Sequence, residues 1–296
     1  RLEKRKTRMK PKKILITGGA GFIGSAFVRL THALGMRLIV IDKLTYAGDM
    51  QRISGLGNIR FYKTDIRNKK AIADIFSREK PDTVVNFAAE THVDRSIADS
   101  EVFITTNIGG VHVLMEAARK AGTKRFIHIS TDEVYGEIAQ GAFRETHQLA
   151  PNSPYAASKA SADMLVKSYI RTYGFPAIIV RPSNNFGPWQ YPEKLIPVVI
   201  TRAMQNQSVP VYAKGLNVRE WLFVDDSARA ILAVMTQGKL GECYNIGSGN
   251  ERRNIDVVTA ILDILEKPRS LIRYVADRPG HDLRYALDCA KVKRLG

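Results

Sequence analysis

The sequence predicts an α/β fold in which a parallel sheet carries helices on both faces. Along the first 182 residues, short apolar runs rich in Val, Ile and Leu alternate with segments of helical spacing. A glycine-rich turn follows the first run, and polar residues follow several later runs. Because ligands bind at the carboxyl ends of strands in such sheets, a site is expected along that edge. The expected architecture is Rossmann-like and doubly wound, with a smaller C-terminal substrate-binding lobe.

The first apolar run, from Lys13 to Thr17, leads directly into a turn that reads Gly-Gly-Ala-Gly-Phe-Ile-Gly from Gly18 to Gly24. Glycines between a strand and a helix let backbone N–H groups approach a pyrophosphate at the helix N-terminus. This context predicts a dinucleotide site, and the alternative is a plain tight turn. The residues expected at the turn are Gly18, Gly21, Phe22, Ile23 and Gly24.

The second run, Arg37 to Asp42, ends in a carboxylate at about the spacing from the turn at which an acid accepts the adenosine ribose hydroxyls. This spacing favours NAD over NADP, although the adjacent Lys43 would tolerate a 2′-phosphate. Phe61 to Ile66 predicts a third strand whose end faces the adenine, with Asp65 accepting from its amino group. A surface turn is the alternative for that segment.

The fourth strand is predicted from Thr83 to Phe87, and the small residues Ala88 and Ala89 after it leave room for a cofactor. The polar cluster that follows includes His92 and can face a substrate. The local sequence offers His92 no partner ligands, so no metal site is expected. A helix from about Glu101 to Ala121 then returns to the fifth strand.

Groups suited to proton transfer follow the fifth strand and open the next helix. Thr131, Asp132 and Glu133 stand where the strand ends, and Tyr155 and Lys159 lie four residues apart on one helix face. A hydroxyl, two carboxylates, a phenol and an ammonium at one sheet edge indicate acid–base chemistry. Solvation of a loop is the alternative for the triplet taken alone.

Beyond the sixth strand, the regular alternation stops. We expect residues 11–182 to form the nucleotide-binding domain and residues 183–296 to form mainly the lobe, with about 222–248 returning to the first domain. Pro182 to Pro197 is too polar and proline-interrupted for a core element and is expected to be a loop over the strand ends. A helix is expected from Asn254 to Leu265.

Much of the net charge of +16 is local, since residues 1–13 carry +7, and residues 1–10 are expected to be a flexible basic extension. The rest of the charge is spread thinly, without a nucleic-acid motif. Two isolated cysteines suggest a reducing compartment, and no apolar run is long enough to span a membrane. A cytoplasmic protein is expected.

Five further motifs carry a resemblance to a known family. They are Leu-Thr-Tyr-Ala-Gly at 44–48, His-Val-Asp-Arg-Ser-Ile at 92–97, Ser-Thr-Asp-Glu-Val-Tyr-Gly at 130–136, Pro-Glu-Lys-Leu-Ile-Pro at 192–197 and Asp-Arg-Pro-Gly-His-Asp at 277–282. With the glycine turn and the Tyr155 to Lys159 pair, the chain resembles the dTDP-glucose 4,6-dehydratase family of the extended short-chain dehydrogenase/reductase superfamily.

The resemblance implies an NAD-dependent dehydration in which the tightly bound NAD is regenerated in each turnover. Tyr155 would act as base on the sugar O4 hydroxyl, while Lys159 would bind the nicotinamide ribose and lower the tyrosine pKa. Glu133 would take the C5 proton, Asp132 would protonate the departing C6 hydroxyl, and Thr131 would polarise the carbonyl at C4. The cofactor contacts would be Gly18, Gly21, Phe22, Ile23, Gly24, Asp42, Lys43, Thr45, Asp65, Ile66, Ala88, Ala89, Tyr155 and Lys159.

The resemblance also implies contacts to the nucleotide sugar and a homodimer. The substrate contacts would be His92, Thr131, Asn184, Lys194, Leu195, Arg219, Asn254, Arg278 and His281, with the arginines pairing with the diphosphate. The dimer would form through helices at about 101–121 and 153–173.

Three alternatives stay open at this point. A UDP-hexose or UDP-N-acetylhexosamine 4,6-dehydratase would use the same residues, because nothing in the sequence identifies the group that reads the base. A nucleotide-sugar 4-epimerase or decarboxylase shares oxidation at C4 but does not need the Asp132 and Glu133 pair. A non-catalytic Rossmann protein that binds NAD and nucleic acid would need none of the acid–base groups.

Overall fold

The computed structural model describes residues 13–296, so the basic extension predicted for residues 1–10 lies outside the described residues. The first half of the chain alternates strands and helices. Its elements are β1 (Lys13–Thr17), α1 (Phe22–Ala33), β2 (Arg37–Asp42), β3 (Ile59–Lys63), α2 (Lys69–Glu79), β4 (Thr83–Asn86), α3 (Val93–Ala98), α4 (Glu101–Phe103), α5 (Val111–Lys120), β5 (Arg125–Ile129), α6 (Pro154–Tyr173) and β6 (Ala177–Pro182).

The second half of the chain contains shorter strands and three longer helices. Its elements are β7 (Asn184–Phe186), α7 (Leu195–Met204), β8 (Val209–Tyr212), β9 (Val218–Phe223), α8 (Val224–Gln237), β10 (Cys243–Ile246), β11 (Glu251–Arg253), α9 (Asn254–Ile264), β12 (Ile272–Val275) and α10 (Ala290–Lys293). Short 3₁₀ turns span Met50–Ile53, Asp132–Tyr135 and Arg269–Leu271.

The central sheet has seven parallel strands in the order β10-β6-β5-β4-β1-β2-β3. Because successive side chains of a strand point to opposite faces, its apolar residues divide between two cores. Ile14 and Ile16 pack with α1 and α8, whereas Leu15 between them packs with α2, α5 and α6. Burial of each such side chain contributes roughly 1.5–3 kcal/mol. The predicted doubly wound α/β fold is confirmed.

The helix predicted from about Glu101 to Ala121 is divided by a π-helical segment, Ile104–Gly110. Asn107 in this segment is buried, and its side chain bonds to both the N–H and the C=O of Glu90. A Cβ at Gly110 would lie 2.5 Å from Ile66 Cδ1, so glycine permits the close packing there. Wider helical turns of this kind are frequent near functional sites.

The lobe is built from two small sheets and a helix pair. β11-β9-β7 form one sheet and β12-β8 the other, while α7 and α9 pack through Val199, Val258 and Leu262. The loop predicted from Pro182 to Pro197 is therefore wrong at both ends, because β7 pairs with β9 and α7 begins at Leu195. No helix within residues 13–296 is both long and apolar enough to cross a membrane.

One segment after the lobe begins returns to the central sheet. β10 pairs in parallel with β6, and α8 before it contributes Val224, Ala228 and Ile231 to the core beneath β1. β7 and β9 therefore precede this return, and β11 follows it. Strands that precede and follow β10 in the chain, β7, β9 and β11, form one sheet of the lobe.

Candidate active site

A cleft of about 330 Å³ lies along the carboxyl edge of the central sheet. Its walls come from the loops after β1, β2, β3, β4, β5 and β6 and from the loop before α7. The structure places every residue predicted to contact the cofactor on this cleft: Gly18, Gly21, Phe22, Ile23, Gly24, Asp42, Lys43, Thr45, Asp65, Ile66, Ala88, Ala89, Tyr155 and Lys159.

Backbone geometry shapes the glycine turn at one end of the cleft. Gly18 has a φ of +66°, and a Cβ there would lie 2.7 Å from the backbone nitrogen of Ala88. A Cβ on Gly24 would lie 2.1 Å from the carbonyl oxygen of Gly18. Helix α1 starts directly after Gly21, and no side chain caps its first N–H groups. These donors and the positive helix end fit a diphosphate.

The carboxylate of Asp42 is fixed by two backbone donors. Its Oδ2 accepts from Ala20 N at 2.9 Å and its Oδ1 from Leu44 N at 2.8 Å. This holds the loop after β2 against the glycine turn. The bonds anchor the side chain on the cleft wall, where an acid for the ribose hydroxyls was predicted.

Asp65 and Lys43, both predicted to meet the adenosine, form an ion pair of 3.0 Å with each other. Arg67 adds a second pair with Asp65 at 2.7 Å. Burial raises the pKa of Asp65, but the hydrogen bonds from Arg67 and Lys43 outweigh it and lower the pKa to about 2. Asp65 is thus an ionised acceptor, and its negative charge partly offsets the positive charge of Lys43.

The catalytic candidates converge at the centre of the cleft. Thr131 Oγ donates to Asp132 Oδ1 at 3.1 Å and accepts from Glu133 N at 3.3 Å, which caps the 3₁₀ turn Asp132–Tyr135. Ser153 caps α6 by accepting from Ala156 N, and Pro154 occupies the first turn. This start of α6 brings Tyr155 within hydrogen-bonding reach of Thr131.

The two carboxyls of the site have different surroundings. Burial, and then the neighbouring Glu133 carboxylate, raise the pKa of Asp132 to about 8, and its Oδ2 has no hydrogen-bond partner among the described residues. Burial also raises the pKa of Glu133, but Arg219, Arg278 and Lys194 favour its charged form. Asp132 is therefore a neutral acid at pH 7, and Glu133 is the carboxyl with cations around it.

Tyr155 and Lys159 are brought together, but their electrostatics differ from the prediction. Burial and the charge of Glu133 raise the pKa of Tyr155, whereas the sequence predicted a lowered one. Lys159 Nζ donates to the Ile129 carbonyl at 2.6 Å, and burial lowers its pKa to about 8. The ammonium is directed at the end of β5 and not at the phenol.

Three of the predicted substrate residues, Thr131, Asn184 and Lys194, line the cleft. The other six lie outside its wall: His92, Leu195, Arg219, Asn254, Arg278 and His281. Arg219 is buried, with its guanidinium 4.3 Å from the Tyr285 ring centroid and Nη2 donating to the Asp282 carbonyl.

The charged residues at the rim pair with one another. Arg278 pairs with Asp94 at 3.2 Å, and His281 Nδ1 lies 2.6 Å from the Asp277 carboxylate. Asn254 begins α9 with a buried Oδ1 that has no partner among the described residues.

Glu193 is a cleft residue that the sequence did not single out. Its carboxylate lies 3.5 Å from His92, 3.6 Å from Arg95 and 3.7 Å from Lys194, and accepts from Tyr46 at 3.3 Å. The available signal was its place in the Pro-Glu-Lys-Leu-Ile-Pro motif. Further lining residues not predicted are Ser130, Glu90, Thr91, Ser183, Asn185, Gln190 and Tyr191.

Comparison with known proteins distinguishes among families that place similar residues at the carboxyl edge of the sheet. A family model described as GDP-mannose 4,6 dehydratase matches residues 15–296. A dTDP-glucose 4,6-dehydratase from Shigella flexneri is 48% identical over 312 residues, which cover 95% of this chain and 86% of the relative. The chain belongs to the dTDP-glucose 4,6-dehydratase family. The resemblance predicted from the motifs is confirmed.

Solved structures support this family assignment and also show that the same fold occurs outside the family. The dTDP-glucose 4,6-dehydratase DesIV of Streptomyces venezuelae, solved with NAD bound, superposes with a TM-score of 0.92 at 46% identity, covering 95% of this chain and 90% of DesIV. A UDP-glucose 4-epimerase of Thermus thermophilus, also with NAD, reaches a TM-score of 0.90 at 29% identity, covering 95% and 92%. The fold alone thus does not separate dehydratases from epimerases.

Proposed function

We propose that this chain is an NAD-dependent dTDP-glucose 4,6-dehydratase that forms dTDP-4-keto-6-deoxyglucose. The observation that carries the proposal is the pairing of a buried, neutral Asp132 with a cation-supported Glu133 beside Tyr155. Elimination of water across C5 and C6 requires one group that takes a proton and one that donates a proton, and two adjacent carboxyls with different surroundings can supply both.

The cleft residues support NAD as the cofactor. The uncapped start of α1 and the glycine turn would hold the diphosphate, Asp42 the adenosine ribose and Lys159 the nicotinamide ribose. When bound, NAD supplies the hydride acceptor for C4 and the hydride donor for C6. A Cβ at Gly18 or Gly24 would clash with the backbone of Ala88 or of Gly18, so glycine at both positions keeps the turn in the shape that leaves the start of α1 open to this group.

The protein side chains move the protons. Tyr155 takes the O4 proton, and Thr131 lies within hydrogen-bonding reach of Tyr155. Oxidation at C4 acidifies the hydrogen at C5, which Glu133 removes. Asp132 donates its proton to the departing C6 hydroxyl, so that water leaves as a neutral molecule. Burial raises the pKa of Tyr155 in the free cleft, so a nearby cation, such as the Lys159 ammonium or a bound nicotinamide ring, would be needed to favour the phenolate.

A UDP-hexose dehydratase is the second candidate, because its substrate would place the same groups around C4, C5 and C6. The epimerase alternative shares the fold at a TM-score of 0.90. It leaves unexplained why two adjacent carboxyls line the cleft, since epimerisation at C4 eliminates no water.

The test is to incubate the purified protein, without added cofactor, with dTDP-glucose and UDP-glucose in parallel. The expected result, measured by mass spectrometry, is that dTDP-glucose loses one water and UDP-glucose does not. Loss only from UDP-glucose would reassign the substrate and keep the mechanism. Absence of loss from either, after NAD is added, contradicts the proposal.

A paired variant tests the roles of the carboxyls. With dTDP-glucose, the Asp132→Asn, Glu133→Gln double variant is still expected to convert bound NAD to NADH, measured by absorbance at 340 nm. Its rate of dehydration is expected to fall by at least about 10²-fold. The exposed pair Asp225→Asn, Asp226→Asn on α8 is the matched control. Unchanged dehydration in the first variant would contradict the assigned roles.

We further propose a cytoplasmic homodimer. The helical region 101–120 and α6 expose apolar side chains, among them Ile104 (52% exposed), Met164 (57%) and Tyr173 (55%). Both cysteines are buried and unpaired, which suits a reducing compartment. Light scattering of the protein and of a Met164→Lys variant would test the dimer, with a monomeric variant as the expected outcome.

A further inference from the structure

A charged cluster with no access to solvent lies behind the cleft, on the far side of Lys159. We define this buried cluster as Asp163, His128, Arg181 and Tyr135, and the first three are 0% exposed. Asp163 belongs to α6, His128 to β5, Arg181 to β6 and Tyr135 to the 3₁₀ turn that carries Asp132 and Glu133. The mechanism above uses none of these four side chains. Charges are expensive to bury, so the cluster needs an explanation.

Asp163 is the only carboxylate of the cluster, and it faces two nitrogen groups. Arg181 Nε donates to its Oδ2 at 2.9 Å, and His128 Nε2 lies 3.6 Å from its Oδ1. Arg181 also donates to Tyr135 Oη at 2.7 Å, and Tyr135 donates to Asn245 Oδ1 at 2.8 Å. The cluster therefore ties β5, β6 and β10 to the catalytic turn.

A chain of hydrogen bonds that begins at the cleft fixes the tautomer of His128. Ala88 N donates to Thr17 Oγ, the Thr17 hydroxyl donates to Asn86 Oδ1, and Asn86 Nδ2 lies 3.2 Å from His128 Nδ1. Since the amide donates, Nδ1 accepts and the ring proton is on Nε2, directed at Asp163. Burial, with Lys159 and Arg181 nearby, lowers the pKa of His128 well below its ordinary value. His128 is therefore a neutral donor.

Lys159 lies one helical turn before Asp163 on the same face of α6. Its ammonium is buried and, among residues 13–296, has one hydrogen bond, to the Ile129 carbonyl. Burial lowers the pKa of Lys159, and Asp163 is the charged group that opposes this effect. The other titratable groups around it are Tyr155 on its own helix, neutral His128 on β5, Arg181 on β6, and Asp132 and Glu133 on the turn.

We propose that Asp163 is a positioning residue for the reaction: its carboxylate, hydrogen-bonded to Arg181, keeps the ammonium of Lys159 charged at the cleft wall. The proposal rests on the function proposed above, because Lys159 acts there. Arg181 bonds Oδ2 of the carboxylate, whereas Oδ1 has no hydrogen-bond partner among the described residues. His128 lies 3.6 Å from Oδ1 and is neutral, so it does not offset the negative charge near Lys159.

The test uses the Asp132→Asn, Glu133→Gln protein as parent, so that neither cleft carboxyl titrates. The rate of NAD reduction by dTDP-glucose is measured at 340 nm from pH 6 to pH 10. Addition of Asp163→Asn is expected to shift the alkaline decline of this rate down by about one pH unit. Asp163→Glu, which keeps the charge, is expected to return the decline to the parent position.

A second variant guards against misfolding, because Asp163→Asn leaves the Arg181 guanidinium without its counter-ion. Asp163→Asn with Arg181→Gln removes both buried charges and is expected to show the same downward shift. Thermal unfolding of each variant checks the fold. The amount of bound NAD per chain is measured after denaturation. At pH 7 it is expected to stay within about twofold of the parent. As the pH is raised and Lys159 loses its charge, the variants are expected to lose NAD earlier in the titration than the parent.

Two results would contradict the proposal in different ways. An equal loss of rate at every pH, with the decline unmoved in the folded variants, would make Asp163 a merely structural residue. No NAD reduction by the parent at any pH would overturn the proposed function and, with it, the inference that depends on it.

Discussion

The two sides of the cleft are built on different principles. On the cofactor side, the surface is fixed by backbone: Gly18 and Gly24 leave no room for a Cβ, and Asp42 is bonded to two main-chain N–H groups. On the substrate side, charged side chains are satisfied by one another. Arg278 pairs with Asp94, and Glu193 with its neighbouring cations.

This difference implies two modes of binding. A backbone cradle is already in the shape that its ligand needs, so binding costs little reorganisation. Side-chain ion pairs must be exchanged when an anionic substrate arrives, which costs part of the binding energy. A cofactor that is retained through turnover suits the first side, and a substrate that leaves suits the second.

The largest effect is expected from Gly24→Ala, which attacks the fixed side. The added methyl would lie 2.1 Å from the Gly18 carbonyl oxygen, so the turn must move away from the diphosphate. We expect loss of most bound NAD and a fall in kcat of at least about 100-fold. Gly57→Ala, where a Cβ meets nothing within 4 Å, is the control and should retain both. Full NAD content in Gly24→Ala would show that this side is not rigid.

Arg278→Gln is expected to act on the substrate side alone. Loss of the predicted charge-assisted contact to the diphosphate should raise KM about 10- to 100-fold while bound NAD stays unchanged. Arg273→Gln changes an exposed arginine of the neighbouring strand β12 and serves as the matched control. An unaltered KM would mean that Arg278 remains paired with Asp94 during turnover.

Alkaline pH should separate the two sides as well. Asp132, with a pKa of about 8, must be protonated to act as acid, so its activity is present at pH 7 and lost as pH rises. We expect dehydration to fall by at least about tenfold between pH 7 and pH 9, with Lys159 acting in the same direction. Asp65, with a pKa of about 2, stays ionised throughout this window. A pH-independent rate would refute the acid role of Asp132.

The smallest effect is expected from Glu193→Gln. The neutral amide frees His92, Arg95 and Lys194 from a competing carboxylate, so KM should fall about two- to fivefold. The effect should shrink in 0.5 M salt, because the groups are partly exposed. Glu101→Gln, on the exposed surface, is the comparison variant. A raised KM would indicate that Glu193 itself contacts the substrate.

Sequence predicted the fold where the signal is local. The apolar runs of β1, β2 and β4 are short, buried on both faces and bounded by polar residues, so each was found within one residue of its limits. The glycine turn and the Tyr155 to Lys159 pair were likewise visible, because their geometry depends on neighbours in the chain. The roles of these residues stay predictions until variants are measured.

The sequence did not predict the features that depend on pairing between distant segments of the chain. β8 and β12 hold each other across some sixty residues, and the π-helical segment depends on packing of Gly110 against Ile66. The pairing of Arg278 with Asp94 and the convergence of cations on Glu193 are also long-range. No local pattern encodes such contacts, since each partner alone has the composition of an ordinary surface loop.

The return of β10 to the central sheet bears on how relatives of this chain could exchange specificity. Lobe segments lie on both sides of β10, so a single crossover close to β10 would join half of one lobe to half of another. The sheet β11-β9-β7 would then combine strands of different origin. A crossover before β7 would carry the lobe strands together, but it would also bring α8 and β10, which pack and pair with α1 and β6 of the other parent. Substrate choice in this architecture is therefore expected to drift residue by residue more readily than it recombines.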